Sequence, residues 1–346
     1  MDKFNSILPV RRTKLRNMGK KNKTIIGVSL IFLEVSLLLA LFTFLPNSVI
    51  AGIGSPSTNV ITNLTVGNTY PEIINVSIDD DAASIALIPN ATKLVQCIAV
   101  LRDYNGDADI NATNATFYDS ASAVSSDPDD KNNHYTNSSC EIIADTNGYN
   151  GYADDPYHSL ANCTFQVEYY ANAEDWICHV TVNDSVSWTG ENTDEITISP
   201  LLALGLPDVI NYGTVNATSV SDENITNVTN YGNVQINLTL EGYGAAPSDD
   251  LAMVCTLGNI GVIEVVYEKY NLTASTPGTL NLTEFEATYT NLTSSSVTKQ
   301  FELAARTNDI LNDAFKESYW RIYVPKGVAG TCNGTIIFGA TQAAGS

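Results

Sequence analysis

"QINLTLEG", residues 235–242, alternates apolar and polar side chains without interruption. Successive side chains of a β-strand point to opposite faces, so this stretch predicts Ile236, Leu238 and Leu240 facing inward, with Asn237 and Thr239 facing out. Short runs rich in Val, Ile, Thr and Tyr recur on either side. They include "PEIINVSI" (71–78), "ATKLVQCIAVL" (91–101), "INATNATFY" (110–118), "SSCEII" (138–143), "ANCTFQVEYY" (161–170), "DWICHVTV" (175–182) and "DEITIS" (194–199). Gly, Asn, Asp and Pro separate them, and no long helical periodicity appears after residue 46, so the fold class is mainly β with antiparallel strands. About three hundred residues suit two sandwiches better than one, expected at 65–200 and 201–346.

The N-terminus reads differently. Eight of the seventeen Lys and Arg residues precede Thr24, ahead of an apolar run from Ile25 to Leu45. A basic segment (1–24), a signal or transmembrane helix (25–46) and a linker (47–64) are expected, with the basic flank cytoplasmic and the rest outside. Val49-Ile50-Ala51 before Gly52 offers small residues for signal cleavage, while the run is also long enough to stay as an anchor. Glu34 lies within it and, as a lone carboxyl there, costs a few kcal/mol unless neutral or partnered. Met18 is an alternative start, opening a second basic and apolar sequence.

Beyond this segment nine basic residues face thirty-six acidic ones, a balance of −27. Nucleic-acid binding needs a clustered positive surface and is excluded as a function class. Six cysteines remain, an even number that in an exported chain favours disulfides, and none forms a CxxC pair. Four of them fall in the first region and allow three pairings.

Asn-x-Ser/Thr triplets occur sixteen times past the anchor, where chance gives about six. They begin at Asn63, Asn75, Asn90, Asn111, Asn114, Asn137, Asn183, Asn216, Asn224, Asn227, Asn237, Asn271, Asn281, Asn291 and Asn333, and also at Asn162, set apart because Cys163 fills its middle position. The middle residue is often Val, Leu or Ile, so strand alternation turns Asn and Thr to water, which is also what N-glycosylation needs. Asn111 and Asn114 are three apart; on one regular strand they would point to opposite faces, so one is expected in a turn.

Val95-x-Cys97-x-Ala99 resembles the first cysteine strand of immunoglobulin-like domains, and "AEDWIC" (173–178) resembles the second cysteine strand and its preceding corner, with Trp176 where the family has a tyrosine. The resemblance implies a Cys97–Cys178 bond between sheets and Cys140–Cys163 across adjacent strands. In the second region, "INYGTVNATSVSDENITNVTNYGNVQINLTLEGYG" (210–244) resembles surface Ig-like modules, and "YWRIYVPKGVAGTCNGTIIFGAT" (319–341) resembles a closing hairpin, implying that Cys255–Cys332 ties an early strand to the last. With the triplet density and acidity, the chain resembles an archaeal cell-surface glycoprotein.

"DYNGDADI" (103–110) is the candidate metal loop, with Asp103, Asn105, Asp107 and Asp109 spaced as oxygen ligands for calcium, the one cofactor candidate. Gly106 is not at the sixth position and Asn114 stands where a bidentate Glu belongs; an Asn-Gly turn explains the same letters. Two further acidic loops, 125–130 and 145–155, would complete a site only if the fold gathers them. His134, His158 and His179 lack metal spacing, and no GxSxG, HExxH or phosphate loop occurs. Tyr149, Tyr152, Tyr157, Tyr169 and Tyr170 form a candidate carbohydrate-stacking patch, against the commoner role of β-sheet packing.

The expected function is therefore a non-enzymatic, glycosylated, membrane-anchored or secreted cell-surface protein with a structural or adhesive role. Its partners would be the membrane, N-linked glycans, and copies of itself or other surface proteins. A subunit of an extracellular filament is the first alternative, by a helix core or by "STNVITNLTV" (57–66) adding a strand to a neighbour. A calcium-dependent polysaccharide-binding protein or enzyme is the second.

Overall fold

The computed structural model describes residues 59–310 and 312–344. The expected basic segment and membrane helix lie outside the described residues, as does the linker up to residue 58. Among the described residues no helix is long and apolar enough to cross a membrane. Residues 59–66 form no regular element and expose Val60, Ile61, Leu64 and Val66. The other described residues belong to the unit Gly67–Ser346.

That unit is mainly β, and every ladder between its strands is antiparallel. Up to residue 200 it contains β1 (Glu72–Ile78), β2 (Thr92–Arg102), β3 (Ile110–Asp119), β4 (His134–Asn137), β5 (Glu141–Ile143), β6 (His158–Glu168), β7 (Asp175–Asp184) and β8 (Thr189–Thr197). They form two four-stranded sheets, ordered β1-β2-β6-β5 and β4-β3-β7-β8. Both send their alternate residues into one core: Val95, Cys97, Ala99 and Leu101 from β2 meet Trp176, Cys178, Val180 and Val182 from β7. Phe117 of β3 joins the layers, with ring centroids 5.6 Å from Phe165 and 4.9 Å from Trp176. Burial of side chains of this size contributes about 1.5–3 kcal/mol each. Cys97–Cys178 crosses between the sheets and Cys140–Cys163 joins the start of β5 to β6, as the resemblance implied.

After residue 200 come β9 (Leu204–Gly205), β10 (Asn224–Asn230), β11 (Ile236–Tyr243), β12 (Leu251–Gly258), β13 (Val262–Glu264), β14 (Glu268–Asn271), β15 (Thr290–Asn291), β16 (Val297–Leu303), β17 (Phe315–Ile322), β18 (Val328–Asn333) and β19 (Thr335–Gln342). Three sheets result, ordered β15-β14-β17-β10-β9, β16-β11-β19 and β13-β12-β18. Ile236, Leu238 and Leu240 are buried against Val228, Tyr270 and Trp320 while their neighbours on β11 remain half-exposed, as alternation requires. No described sheet mixes strands from the two sides of residue 200.

Two expectations are corrected, and one short helix is added. Cys332 lies on β18 instead of the last strand, because Gly334 interrupts the run: a Cβ there would stand 1.8 Å from the Ala252 carbonyl oxygen, so the chain changes sheets at this glycine. A seven-residue helix, α1 (Leu282–Thr288), occurs where no helical period is legible. It is too short to show one, and it is nucleated by a capping box in which Asn281 and Glu284 satisfy each other's backbone amides. Finally, neither Asn111 nor Asn114 lies in a turn: both are exposed on β3, because a bulge between Ile110 and Ala112 inserts one residue and restores their common side.

Candidate functional site

Two strands carry the same spacing. Cys97 is followed six residues later by Asp103, and Cys178 six residues later by Asp184. An even step keeps a strand residue on the same face, so both aspartates continue the inward rows of β2 and β7 past Leu101 and Val182. The disulfide holds the two rows against each other. Both side chains are wholly buried, and Asp109, from the 3-10 turn Asp107–Asp109, joins them, with one carboxylate oxygen of each lying within 4.8 Å of the others. Among the described residues this is the one such group of three potential metal ligands.

The local bonding is uneven. Asp184 accepts the amide N–H groups of Val186 at 2.9 Å and Trp188 at 2.8 Å on Oδ1, and Asn68 donates to its Oδ2. Burial pushes its carboxyl up, but these donors outweigh burial and leave it below its ordinary value. Asp103 accepts from the Asn105 amide at 2.8 Å and the Thr69 hydroxyl at 3.4 Å, both on Oδ1. Its Oδ2 is buried without a partner. Burial above all, then the charges of Asp109 and Asp184, hold its carboxyl above the usual range against those two donors. The Ser185 hydroxyl donates to Asp109. No described Lys or Arg pairs with any of the three.

The predicted calcium loop is thereby redrawn. Asp103 and Asp109 come together; Asn105 does not join them, since its Oδ1 accepts the Thr69 amide and hydroxyl, both at 2.7 Å. Asp107 stays half-exposed outside the cluster. Asp184, eighty-one residues from Asp103, was missed, although the twin Cys-x5-Asp spacing marks it. The other acidic loops stay apart from the cluster; Asp155 instead accepts from the Tyr157 amide at 2.9 Å and lies 2.8 Å from His158 Nδ1. The tyrosine patch does not form as drawn, because Tyr169 and Tyr170 are buried. Tyr169 donates to Asp309 at 2.7 Å, and Arg306 lies over its ring and over that of Tyr231.

None of the sixteen candidate asparagines is buried. Three of the triplet hydroxyls, those of Ser77, Thr113 and Thr226, are buried against simple alternation. Ser77 is buried where its Oγ accepts the Asp81 amide and closes a turn. On β10, Ile225 is exposed and Thr226 buried, since Ile225 and Val228 are an odd number apart and cannot share one face.

No family model and no curated protein matches the chain. The solved structures it matches are distant. A dimeric latent PorU from Porphyromonas gingivalis has 14% identity and a TM-score of 0.24, covering 78% of this chain, which spans only 20% of that one. A chaperone–tip adhesin complex of CFA/I fimbriae biogenesis has 12% identity and a TM-score of 0.27, over 80% of this chain and 84% of that one. The native E. coli alpha-2-macroglobulin has 8% identity and a TM-score of 0.23, over 78% of this chain and 17% of that one.

Proposed function

We propose that the chain is a non-enzymatic, N-glycosylated cell-surface protein, built of two Ig-like sandwich modules (65–200 and 201–346) held outside a membrane by its N-terminal helix, with a structural or adhesive role in an archaeal type of envelope. The observation that carries this reading is the coincidence of sixteen glycan-acceptor asparagines, none of them buried, with six cysteines that all pair. Disulfides persist in oxidising compartments outside the cytosol, and a glycan needs an asparagine that water can reach. The Ig-like assignment of the first module is supported by its two sheets: in chain order they match the ABED and C′CFG pattern of such sandwiches, with the bridge between the second and seventh strands. Trp176 supports it further. Its indole N–H donates 2.9 Å back to the Asn172 carbonyl, the upstream backbone bond that a corner tyrosine makes in that family.

Glycopeptide mass spectrometry on protein isolated from its native membranes tests the reading. Hexose-bearing peptides at most of the fifteen leading asparagines, with no free thiols, are expected; bare asparagines throughout would refute it. A filament subunit is the second reading, favoured by the run of exposed apolar residues Val60, Ile61, Leu64 and Val66 in a segment without its own strand partner among the described residues. Electron microscopy of the native cell surface separates the two: fibres labelled for this protein favour the filament, and an even or lattice-like coat favours the envelope role.

A further inference from the structure

We propose that Asp103, Asp109 and Asp184 form a divalent-cation site, selective for calcium, that closes the end of the first region's core and fixes the chain lead-in at Asn68 and Thr69. Three carboxylates gather at one point with no described cation among them. In a low-dielectric setting like charges at this separation repel strongly, so the arrangement calls for a positive charge between them. The second observation is the wholly buried Asp103: one oxygen has two donors, and the other has none. A buried carboxylate oxygen without a donor is costly, and coordination to a cation removes that cost.

The donor set decides the class of ion. Carboxylates alone, with no His or Cys nearby in the cluster, suit hard cations over zinc or copper. The ligands come from a strand end, a 3-10 turn and a second strand end, so their spacing can adapt, which suits the larger and more flexibly coordinated calcium better than magnesium. Such an ion would act as a second clasp between the sheets, six residues beyond the Cys97–Cys178 bridge on both strands. It would also reach the lead-in, because Asn68 is bonded to Asp184, and Thr69 to Asp103 and Asn105.

Equilibrium dialysis of the full glycosylated chain, stripped with a chelator and returned to calcium or magnesium chloride, provides the test. Expected are one calcium bound per chain, weaker magnesium binding, and at least a tenfold loss of calcium affinity in Asp109→Asn and in Asp184→Asn. Asp107→Asn, outside the cluster, should stay within about twofold of the parent. Asp109 lies in a turn, so that variant retains the strands and guards against a mere folding failure; its unchanged circular dichroism is checked alongside. Calcium should also slow amide exchange at Thr69 in the parent chain and leave it unchanged in Asp109→Asn. Absence of saturable binding at one per chain, or an equal loss in Asp107→Asn and Asp109→Asn, would overturn the proposal.

Discussion

The regions before and after residue 200 solve the same problem with different chemistry. In the first, Cys97 and Cys178 are wholly buried and join two facing sheets through the middle of the core. In the second, Cys255 and Cys332 sit opposite each other on neighbouring strands of one small sheet, with Cα atoms 4.0 Å apart. The second region has no disulfide between its sheets, and its buried charged groups, unlike the aspartates of the first, include a guanidinium and a glutamate. Arg321 is held by the carbonyls of Ser221, Thr276 and Gly278 at 2.6–2.8 Å and by the Tyr289 hydroxyl at 3.2 Å. Glu268 accepts the Tyr212 hydroxyl at 2.9 Å. The covalent clasp is indifferent to pH, whereas a buried carboxyl such as Glu268 is not, and this contrast can be tested.

The largest effect is expected from the bridges. Their sequence separations, 81 and 77 residues, are so similar that loop entropy alone gives about 4.5 kcal/mol for either. Replacing Cys97 and Cys178 by Ala should cost about 1–2 kcal/mol more than replacing Cys255 and Cys332, because both members of the first pair are wholly buried whereas Cys332 is half-exposed. Denaturant unfolding of the two double variants measures the difference, and equal losses would break the comparison. Next, Arg321→Lys should destabilise the second region by about 3 kcal/mol, since an ammonium cannot reach the same carbonyls and leaves buried acceptors unsatisfied.

The pH response follows in size. Burial pushes the Glu268 carboxyl up to about 7 from its ordinary 4.5, with the Tyr212 hydroxyl opposing in part. A raised folded-state value means that the neutral form is favoured on folding. Its stabilising effect is complete below about 4.5 and is lost as pH rises through about 7, at up to ~1.4 kcal/mol per pH unit in that window. Unfolding of the parent and of Glu268→Gln across this range should show the slope in the parent and a flatter curve in the variant.

Smaller effects sharpen the first region's side and the local detail. Trp176→Phe removes the indole bond to Asn172 and should cost about 1–2 kcal/mol, read by thermal unfolding. Asn281→Ala should cost about 1 kcal/mol through loss of the helix cap, while Asn281→Ser retains the cap and removes only the glycan acceptor. Comparing the two variants separates capping from glycosylation.

Much of the fold was legible. The Val95-x-Cys97-x-Ala99 row, the β11 alternation and the strand around Cys178 all announce half-buried strands, because a period of two is written in adjacent residues. The candidate site was legible only by half. Asp103 and Asp109 stand in one short loop, but Asp184 comes from a strand whose position depends on pairing with β3 and β8. Asn111 and Asn114 teach the same lesson at shorter range, since one bulged residue reverses the parity that spacing implies.

By itself the chain determined most of its strands, its acidic balance and an even number of cysteines, since each follows from composition or from neighbours along the backbone. Tertiary structure alone decided that three aspartates share one point, that Glu268 and Arg321 lose their water, and that the second region divides into three sheets. The reason is physical: alternation is a local property of a strand, whereas register, desolvation and the meeting of strand ends arise from contacts between residues distant in sequence.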